Sequence, residues 1–464
     1  MEGTVAVVGL GASGEAAARL ALEKGDSVYV SDLRTDASIA ARAEWLRSLG
    51  AVVELGHHDS ARIASADLVV VSPGIPPTAP VLQDLAGDGV RWISEPEFAF
   101  RFFKGPLIAV TGTNGKTTTA ALTAHLLARS GIDAALGGNV GAGLAPPASE
   151  LALRESAPDW YVLEMSSFQL AGTDRFRPEI GVVTTLSPDH LDRYDSLEEY
   201  YRDKARLFQN ATPESRWVLN GDGKEVRELP GEAPGIRYYF SLEAQAGEAS
   251  GEADRTSGGW LDGKELVLEG MDPGTGGKEV LLSVDRLSLL GRHNVANCLA
   301  AAVTARLAGA TLEGIRTGLS DFPPLPHRME PVGEWEGVLW VNDSKATNVE
   351  AARSALDSLD RPVVLLLGGK DKGEDFSALA ESIRARARHV LLFGEARHRL
   401  EKALGPAVSA RLIDGSFQDV ISEARRSARP GDVVLLAPAC SSFDMFRDYE
   451  DRGRRFAALA RGDG

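Results

Sequence analysis

Short apolar runs alternate with alanine-rich stretches of helical periodicity along the chain. Near the start, Thr4–Val8, Ser27–Val30 and Asp67–Ser72 have the length and apolar content of buried strands. Between them, Gly14–Lys24 and Ile39–Leu49 have the composition and periodicity of helices. Such alternation predicts βαβ units built around a parallel sheet.

The same alternation continues in the rest of the chain. The pattern predicts strands of a second sheet at Leu107–Val110, Trp160–Leu163 and Ile180–Thr185. After the first of these strands, a Gly/Thr-rich turn leads into a predicted helix. A third series of predicted strands lies at Leu339–Asn342, Val363–Leu367, Val390–Phe393 and Val433–Ala437. The pattern therefore predicts an α/β protein with three doubly wound units.

Two proline-rich segments separate these units. Glu95–Pro106 carries two prolines and Gly105, and Asp321–Pro331 carries four prolines in eleven residues. Proline interrupts regular structure because it lacks an N–H group and fixes φ. We therefore predict domains over residues 1–103, 107–321 and 332–464.

The composition narrows the class of protein. The 464 residues are 44% hydrophobic and 25% charged, which is typical of globular proteins. Acidic residues outnumber basic ones by 66 to 50, so a phosphate-backbone-binding surface for nucleic acid is not expected. No apolar run approaches the ~18 residues of a membrane span, and no leader pattern follows Met1. With only two cysteines, Cys298 and Cys440, the chain fits a reducing compartment, and we expect a soluble cytoplasmic protein without a membrane partner.

The first candidate site is Gly9-Leu-Gly11-Ala-Ser-Gly14, between the first predicted strand and helix, with Asp32 at the end of the second strand. Glycines at this spacing let a pyrophosphate approach the backbone and the helix N-terminus, and the acid takes ribose hydroxyls. The pattern indicates a nucleotide site, with a ligand-free turn as the alternative. It does not distinguish a dinucleotide from another nucleotide diphosphate.

The second candidate site is Thr111-Gly-Thr-Asn-Gly-Lys-Thr-Thr118, again between a predicted strand and a helix. Its backbone N–H groups can surround phosphates, Lys116 can reach the β- and γ-phosphates, and the Thr117 hydroxyl can bind Mg²⁺. Val110 stands where the Walker pattern has glycine, but the Gly-Lys-Thr core remains specific for a phosphate loop.

Three groups downstream of this loop are candidates for the same chemistry. Glu164 ends an apolar strand, which is where a metal ligand belongs in an α/β site. His190 follows another predicted strand, and a structural histidine is the alternative. Lys204 lies on a helix predicted over Ser196–Gln209, where an ordinary surface lysine is the simpler reading.

Polar clusters in the last third of the chain suggest further contacts. Asn294 in Gly291–Asn297 either caps a helix or contacts a base or phosphate. Arg328 can reach phosphates, and Asp343 and Lys345 follow a strand, where a capping turn is the alternative. Lys345, Thr347 and Lys372 would together suit a carboxylate ligand. Cys440 lacks a nearby base in the sequence and is read as a small buried residue rather than a nucleophile.

With these motifs in order along the whole chain, the sequence resembles the Mur ligase family, the ATP-dependent amide-bond-forming enzymes of peptidoglycan precursor synthesis. The segments that carry the resemblance are Thr111–Thr118, Glu164–Gln169, His190, Gly291–Asn297, His327-Arg328 and Asp343–Asn348. The last of these is similar to the family member that adds D-glutamate to UDP-N-acetylmuramoyl-L-alanine, with a sister ligase that adds another amino acid as the alternative. The implied fold has a Rossmann-like N-terminal domain, a central P-loop ATPase-like domain with a mixed-strand extension, and a Rossmann-like C-terminal domain.

The resemblance implies substrate contacts in each domain. Positions matching contacts to the UDP substrate are Gly11, Ala12, Ser13, Asp32, Arg34, Ser72, Gly74 and Asn139. Positions matching ATP contacts are Gly112, Thr113, Asn114, Gly115, Lys116, Thr117, Thr118, Asn294, Arg328 and Asp343. Positions matching contacts to D-glutamate are Lys345, Thr347, Lys372, Ser442 and Tyr449. Tyr449 stands where the family pattern has phenylalanine, and Ser441 remains an alternative to Ser442.

The resemblance also implies a metal site with a modified lysine. Lys204 matches the lysine that the family carries as a carbamate, in which carbon dioxide converts a cation into a metal-binding anion. The implied ligands of Mg²⁺ are Thr117, Glu164, His190 and this carbamate. The catalytic candidates are Lys116, which contacts the phosphates, and the two metal ligands His190 and Lys204. The implied partners are ATP, UDP-N-acetylmuramoyl-L-alanine and D-glutamate, and the implied state is a monomer.

Two unrelated functions are weaker alternatives. A nicotinamide-dependent oxidoreductase would use Gly9–Gly14 and Asp32 but would leave the Gly115-Lys-Thr117 core and the third unit unexplained. A nucleotide-dependent interaction switch would use the phosphate loop but would not explain Asp343–Asn348 or the first unit.

Overall fold

A computed structural model describes residues 3–76, 78–140, 143–189, 193–243, 257–271, 277–406 and 408–462. The chain divides into two compact units. The first comprises Met1–Leu186, Arg193–Leu281 and Leu299–Gly318, and the second comprises Ser187–Asp192, Leu282–Cys298 and Leu319–Gly464. The candidate ligand His190 lies outside the described residues.

Five parallel strands form the first sheet: β1 (Thr4–Val8), β2 (Ser27–Asp32), β3 (Val52–Leu55), β4 (Leu68–Val71) and β5 (Trp92–Ser94). Their order, β3-β2-β1-β4-β5, is that of a doubly wound nucleotide-binding domain. The associated helices are α1 (Ala12–Glu23), α2 (Ala37–Ser48), α3 (Ser60–Ala64), α4 (Pro80–Gly87) and α5 (Glu95–Phe100).

Helices on both faces explain why the strands of this sheet are continuous apolar runs. Val5 and Val7 of β1 pack into one core cluster, whereas Ala6 and Val8 pack into another. Successive side chains of a strand point to opposite faces, so both faces of β1 are buried.

The first unit also contains the central sheet. Its strands are β6 (Leu107–Thr111), β7 (Ala134–Gly138), β8 (Trp160–Glu164), β9 (Ile180–Val183), β10 (Arg216–Asn220), β11 (Ile236–Ser241), β12 (Gly258–Asp262), β13 (Glu265–Glu269) and β14 (Lys278–Ser283). They lie in the order β14-β13-β12-β11-β10-β9-β6-β8-β7. The neighbours from β7 to β12 are parallel, and β13 is antiparallel to β12.

Helices in the segment between Lys116 and Asp321 are α6 (Lys116–Arg129), α7 (Ala148–Leu151), α8 (Ser167–Ala171), α9 (Leu197–Ala205), α10 (Lys224–Glu228), α11 (Arg292–Leu307) and α12 (Leu312–Asp321). Short 3₁₀ turns lie at Arg206–Phe208 and Val284–Arg286. The helix predicted over Ser196–Gln209 is therefore shorter than expected, because its last turn tightens into the 3₁₀ form.

Buried acidic side chains of α5 join the first sheet to the central sheet within the first unit. The Glu97 carboxylate accepts hydrogen bonds from the backbone N–H groups of Asp174, Arg175 and Phe176. Glu95, completely buried, accepts one from the N–H of Ser149 at the start of α7. These hydrogen bonds connect α5 to two segments that join strands of the central sheet, one at Ser149 and one at residues 174–176.

The third sheet belongs to the second unit. Its strands are β15 (Glu330–Trp335), β16 (Val338–Asn342), β17 (Val363–Gly368), β18 (Ala387–Phe393), β19 (Ala410–Leu412) and β20 (Val433–Leu436), in the order β15-β16-β20-β17-β18-β19. Only the β15–β16 pair is antiparallel among these neighbours. The accompanying helices are α13 (Val349–Asp357), α14 (Ala380–Arg386), α15 (Arg397–Leu404), α16 (Phe417–Ser427) and α17 (Tyr449–Arg461), with a 3₁₀ turn at Phe376–Leu379.

The predicted fold class is confirmed. Two largely parallel sheets with helices on both faces flank, in sequence, a central mixed sheet that carries the antiparallel extension. Within the described part of the chain, no helix has the length and apolar character required to traverse a lipid bilayer.

Candidate active site

The turn after β1 can be made only by glycine at two of its positions. Gly9 has φ +93°, a conformation that side chains disfavour. A Cβ on Gly14 would lie 1.9 Å from the carbonyl oxygen of Gly9. The helix α1 therefore starts directly against the strand end. Gly11, its N-cap, has open space around it, which leaves room for a ligand.

Asp32 organises the rim of this turn. Its carboxylate accepts hydrogen bonds from the N–H of Leu10 at 2.6 Å and from the backbone and guanidinium of Arg34. Burial alone raises the pKa of the Asp32 carboxyl, but the hydrogen bonds from Arg34 and Leu10 outweigh it and hold the pKa below its usual value. Both carboxylate oxygens thus already accept N–H donors, so in this structure Asp32 positions Arg34, which is half exposed.

The remaining candidates of the first sheet lie at the same carboxyl edge. Ala12 and Ser13 form the first turn of α1, and Ser72 and Gly74 follow β4. The Ser72 hydroxyl donates to the carbonyl of Gly9 at 2.8 Å, which links the two loops. In a doubly wound sheet, ligands bind at this edge of the sheet.

The predicted phosphate loop connects β6 to α6. Gly112 has φ +140° and Gly115 has φ +84°, so both take conformations suited to glycine. The N–H of Thr113 donates to the Thr185 carbonyl at 2.7 Å, and the N–H of Asn114 to the Thr185 hydroxyl at 2.9 Å. Helix α6 begins at Lys116, whose ammonium donates to the carbonyl of Thr113 at 2.8 Å. The loop is thereby fixed at a helix N-terminus, where phosphates bind.

Glu164 and Thr117 supply the oxygen atoms next to this loop. Glu164 ends β8, and its Oε2 accepts a hydrogen bond from the Thr117 hydroxyl at 2.6 Å. Its Oε1 accepts one from the amide of Asn139 at 3.1 Å. A carboxylate beside a hydroxyl is the donor set that Mg²⁺ prefers, so these residues fit the expected ion. The described residues contain no group of three or more His, Cys, Asp or Glu side chains close enough to bind a metal on their own.

The tertiary structure brings Lys204 to the phosphate loop. Its side chain is only 1% exposed, and Nζ donates to the carbonyl of Gly112 at 2.7 Å. The same Nζ lies 4.5 Å from the centre of the Tyr200 ring. The surface-lysine interpretation is therefore wrong, because a buried ammonium group must be paired or modified.

Candidate ATP contacts in the second unit are held by local contacts. Asn294 is the third residue of α11 rather than its N-cap, and its Nδ2 donates to the carbonyl of Leu290 at 2.7 Å, so the capping interpretation is wrong. Arg328 lies between His327 and Met329, two non-glycine residues with positive φ. Such strain is concentrated at functional sites. Burial raises the pKa of Asp343 to about 7, against the opposing effects of the Met329 N–H and the Arg328 charge.

The amino-acid candidates lie where strands β16, β17 and β20 end. Because β20 is inserted between β16 and β17, the order of connections reverses at this place, which is where α/β sheets bind ligands. Lys345 follows β16, and its Nζ lies 4.2 Å from the centre of the Tyr449 ring. Thr347 lies in the same turn, and Ser442, which is buried, follows β20. Burial raises the pKa of the Cys440 thiol to about 12, which disfavours a nucleophilic role.

Lys372, which follows β17, faces two carboxylates. Its Nζ lies 3.2 Å from Asp189 Oδ1 and 3.9 Å from Glu374 Oε1. Asn348 Nδ2 donates to Asp189 Oδ2 at 3.2 Å. Burial raises the pKa of Glu374 despite the Lys372 charge, and the nearby Asp189 adds to the increase. The sequence motifs did not reveal Asp189 or Asn348 as neighbours of Lys372.

A buried arginine was also missed from the sequence. Arg452 of α17 is completely buried and donates to the Ser344 hydroxyl and carbonyl and to the Cys440 carbonyl. It thus connects the loops that carry Lys345 and Ser442. Burial lowers the pKa of Arg452 to about 10. In sequence it reads as one of several helix arginines, so only its burial distinguishes it.

Models of protein families match three stretches of the chain. These are "Mur ligase MurD-like, N-terminal domain" at residues 3–94, "Mur ligase middle domain" at 110–305 and "Mur ligase, glutamate ligase domain" at 327–440. Among curated proteins, a relative from Desulfatibacillum aliphaticivorans is 40% identical over 458 residues, covering 98% of this chain and 97% of the relative. The chain belongs to the Mur ligase family.

Other Mur ligases are similar to different degrees. A curated relative from Desulfosudis oleivorans is 41% identical over 453 residues, covering 97% of this chain and 95% of its own length. Both relatives are named UDP-N-acetylmuramoylalanine–D-glutamate ligase. Among solved structures, the MurF ligase of Thermotoga maritima in complex with ADP has a TM-score of 0.60 at 17% identity, covering 100% of this chain and 95% of its own. The UDP-N-acetylmuramate-alanine ligase MurC of the same organism has a TM-score of 0.59 at 18% identity, with 100% of both chains covered. At this identity, the structures support the Mur ligase fold alone.

Proposed function

We propose that this Mur ligase joins D-glutamate to the alanyl carboxylate of UDP-N-acetylmuramoyl-L-alanine, with conversion of ATP to ADP and phosphate. The observation that carries the proposal is the identity of about 40% to ligases of this name over nearly the full length of both chains. We further propose that the enzyme is a monomer and that it acts in the cytoplasm, in peptidoglycan precursor synthesis. Its proposed domains bind the UDP substrate (residues 1–103), ATP (107–321) and the amino acid (332–464).

In the first step, the alanyl carboxylate attacks the γ-phosphate of ATP to give an acyl-phosphate and ADP. Phosphoryl transfer depends chiefly on positioning and charge stabilisation, so the loop 112–118 holds the phosphates while Lys116 neutralises charge on the transferring group. The contact of Lys116 with the Thr113 carbonyl would be exchanged for phosphate oxygens. In the second step, the amine of D-glutamate attacks the acyl carbon and phosphate leaves from a tetrahedral intermediate.

Thr117, Glu164, His190 and a carbamate on Lys204 would hold Mg²⁺, which supplies charge neutralisation to the phosphates when bound. The contact between Thr117 and Glu164 supports this set. Addition of CO₂ to the neutral Lys204 amine, with loss of one proton, would replace a buried cation by an anion. The position of Lys204 Nζ beside the Gly112 carbonyl of the phosphate loop supports its place in this set. With a metal bound there, an unmodified ammonium would repel it, whereas the carbamate would attract it.

The UDP moiety of the substrate is proposed to bind to residues at the carboxyl edge of the first sheet: Gly11, Ala12, Ser13, Asp32, Arg34, Ser72 and Gly74. Asn139 is proposed to contact the remainder of this substrate. Asn294, Arg328 and Asp343 are proposed to contact ATP. D-Glutamate has two carboxylates, which need cationic and hydroxyl donors. The residues proposed to bind it are Lys345, Thr347, Lys372, Ser442 and Tyr449.

The test is phosphate release from ATP by the purified protein with Mg²⁺, UDP-N-acetylmuramoyl-L-alanine and D-glutamate, each omitted in turn. We expect release only when all are present, with a product heavier by one glutamyl residue. Release with another amino acid in place of D-glutamate would assign the chain to a sister ligase. Absence of release under every combination would refute the proposal.

A further inference from the structure

Lys372 and Asn348 present an ammonium and an amide group to the same carboxylate. One oxygen of Asp189 lies 3.2 Å from Lys372 Nζ, and the other accepts a hydrogen bond from Asn348 Nδ2 at 3.2 Å. The side chains of Lys372 and Asp189 are only 19% and 11% exposed. Two N–H donors directed at the two oxygens of one largely buried carboxylate make a carboxylate-binding pair.

Asn348 and the neighbouring Glu374 are held in place by groups other than Asp189. Asn348 is the N-cap of α13, and its Oδ1 accepts a hydrogen bond from the N–H of Ala351 at 2.7 Å. This bond directs Nδ2 away from the helix. Glu374, which is near Lys372, accepts from the N–H of Val349 at 2.8 Å. Asn348 and Glu374 are thus held by backbone N–H groups that do not involve Asp189.

The charges near Lys372 oppose the addition of a further carboxylate. Lys372, Asp189 and Glu374 formally carry one positive and two negative charges. A carboxylate of an incoming amino acid would add a third negative charge around one ammonium, and like charges in a poorly hydrated site repel strongly. The incoming carboxylate can therefore bind Lys372 only when the Asp189 carboxylate leaves it.

On the basis of the proposed function, we propose that Lys372 and Asn348 together bind a carboxylate of the amino-acid substrate, and that Asp189 is an internal competitor for this position. Asn348 is then a further substrate-binding residue. Asp189 reduces the apparent affinity by the fraction of molecules in which it occupies the pair.

The experiment compares the KM for D-glutamate and for ATP in three full-length variants. In Asp189→Asn, the amide no longer competes as an anion, and we expect the KM for D-glutamate to fall by ~3-fold or more. Asn348→Asp retains the helix cap, since Asp and Asn cap equally well, but replaces the N–H donor by a carboxylate. We expect it to raise that KM by ~10-fold or more, at an unchanged KM for ATP.

Asp371→Asn is the matched control. Asp371 lies next to Lys372 in sequence but pairs with Arg399, so its variant should retain the wild-type KM for D-glutamate. A higher KM in Asp189→Asn would mean that Asp189 positions Lys372, and would overturn the competition. An unchanged KM in Asn348→Asp would remove Asn348 from the site.

Failure of the proposed function is distinguished by a probe that cannot react. Glutarate has two carboxylates and no amine, and its binding is read from the shift in thermal unfolding of the full chain. A larger shift in Asp189→Asn and a smaller one in Asn348→Asp would support the carboxylate pair even in a protein that releases no phosphate with D-glutamate. Equal shifts in these variants and the wild type would overturn it.

Discussion

Replacing Glu95 by glutamine should stabilise the protein at neutral and alkaline pH. Glu95 is completely buried, and its Oε1 accepts a hydrogen bond from Ser149 N–H. Within the described residues, its Oε2 and the hydroxyls of Ser94 and Ser149 are buried without hydrogen-bond partners. Burial raises the pKa of Glu95 from 4.5 to about 7, and the opposing effects of Ser149, through its side chain and its backbone N–H, and of the Ala148 N–H compensate only in part.

The magnitude follows from proton linkage. The folded protein binds a proton at Glu95 more tightly than the unfolded chain does, so stability is highest below pH 4.5 and falls as the pH rises to about 7. A pKa raised from 4.5 to about 7 corresponds to about 3 kcal/mol in the free energy of unfolding. Glutamine resembles the protonated form and does not titrate. The stability of Glu95→Gln relative to wild type should therefore increase by about 3 kcal/mol between pH 4 and pH 8.

The assay is urea unfolding of both proteins at several pH values, followed by tryptophan fluorescence, because Trp92 lies two residues from Ser94 in the same strand. Glu97→Gln is the matched control. Glu97 accepts three backbone N–H groups, and an amide would turn a donor towards them, so this variant should lose stability at both ends of the range. A constant difference between Glu95→Gln and wild type from pH 4 to pH 8 would refute the reasoning.

Three further predictions concern the candidate sites. Lys116→Ala should reduce ATP-dependent phosphate release by ~10³-fold or more, because the charge on the transferring phosphate loses its partner, and near-normal release would refute the ATP site. Lys204→Ala should be inactive and partly restored by added short carboxylates that replace the carbamate, whereas full activity without them would exclude that role. Gly14→Ala should lower the thermal unfolding midpoint because its Cβ would lie 1.9 Å from the Gly9 carbonyl oxygen. Gly11→Ala, with open space around it, should leave that midpoint nearly unchanged, and equal effects of the two would contradict the turn geometry.

The sequence was most informative where function depends on a few consecutive residues. The phosphate loop is defined by Gly112, Gly115 and Lys116, whose backbone conformations and position at the start of α6 follow from their order between a strand and a helix. The Gly9–Gly14 turn is of the same kind. Ten of the twenty strands in the described residues were predicted as apolar runs, because a parallel strand covered on both faces must be apolar along its length. Strands β3, β5, β7, β10 to β15 and β19 were not identified from the sequence.

Long-range partners were not predictable in this way. Lys204 and Gly112 are 92 residues apart in the chain, and Lys372 and Asp189 are 183 apart. The pattern around Lys204 is that of an ordinary helix, and resemblance to the family, rather than periodicity, indicated its role. Arg452 is an arginine on a polar helix in sequence and a completely buried side chain in the structure.

The amino-acid sequence was sufficient to predict the α/β class, the alternation of buried strands with helices, the two glycine-rich turns and the family. These depend on local sterics and on the alternation of buried and exposed positions, which are properties of neighbouring residues. Three features became visible only in the folded chain: the carboxylates that face Lys372, the binding of Arg34 by both oxygens of Asp32, and the complete burial of Glu95. Burial and charge pairing depend on segments distant in the chain that fold against one another, and no local pattern specifies them.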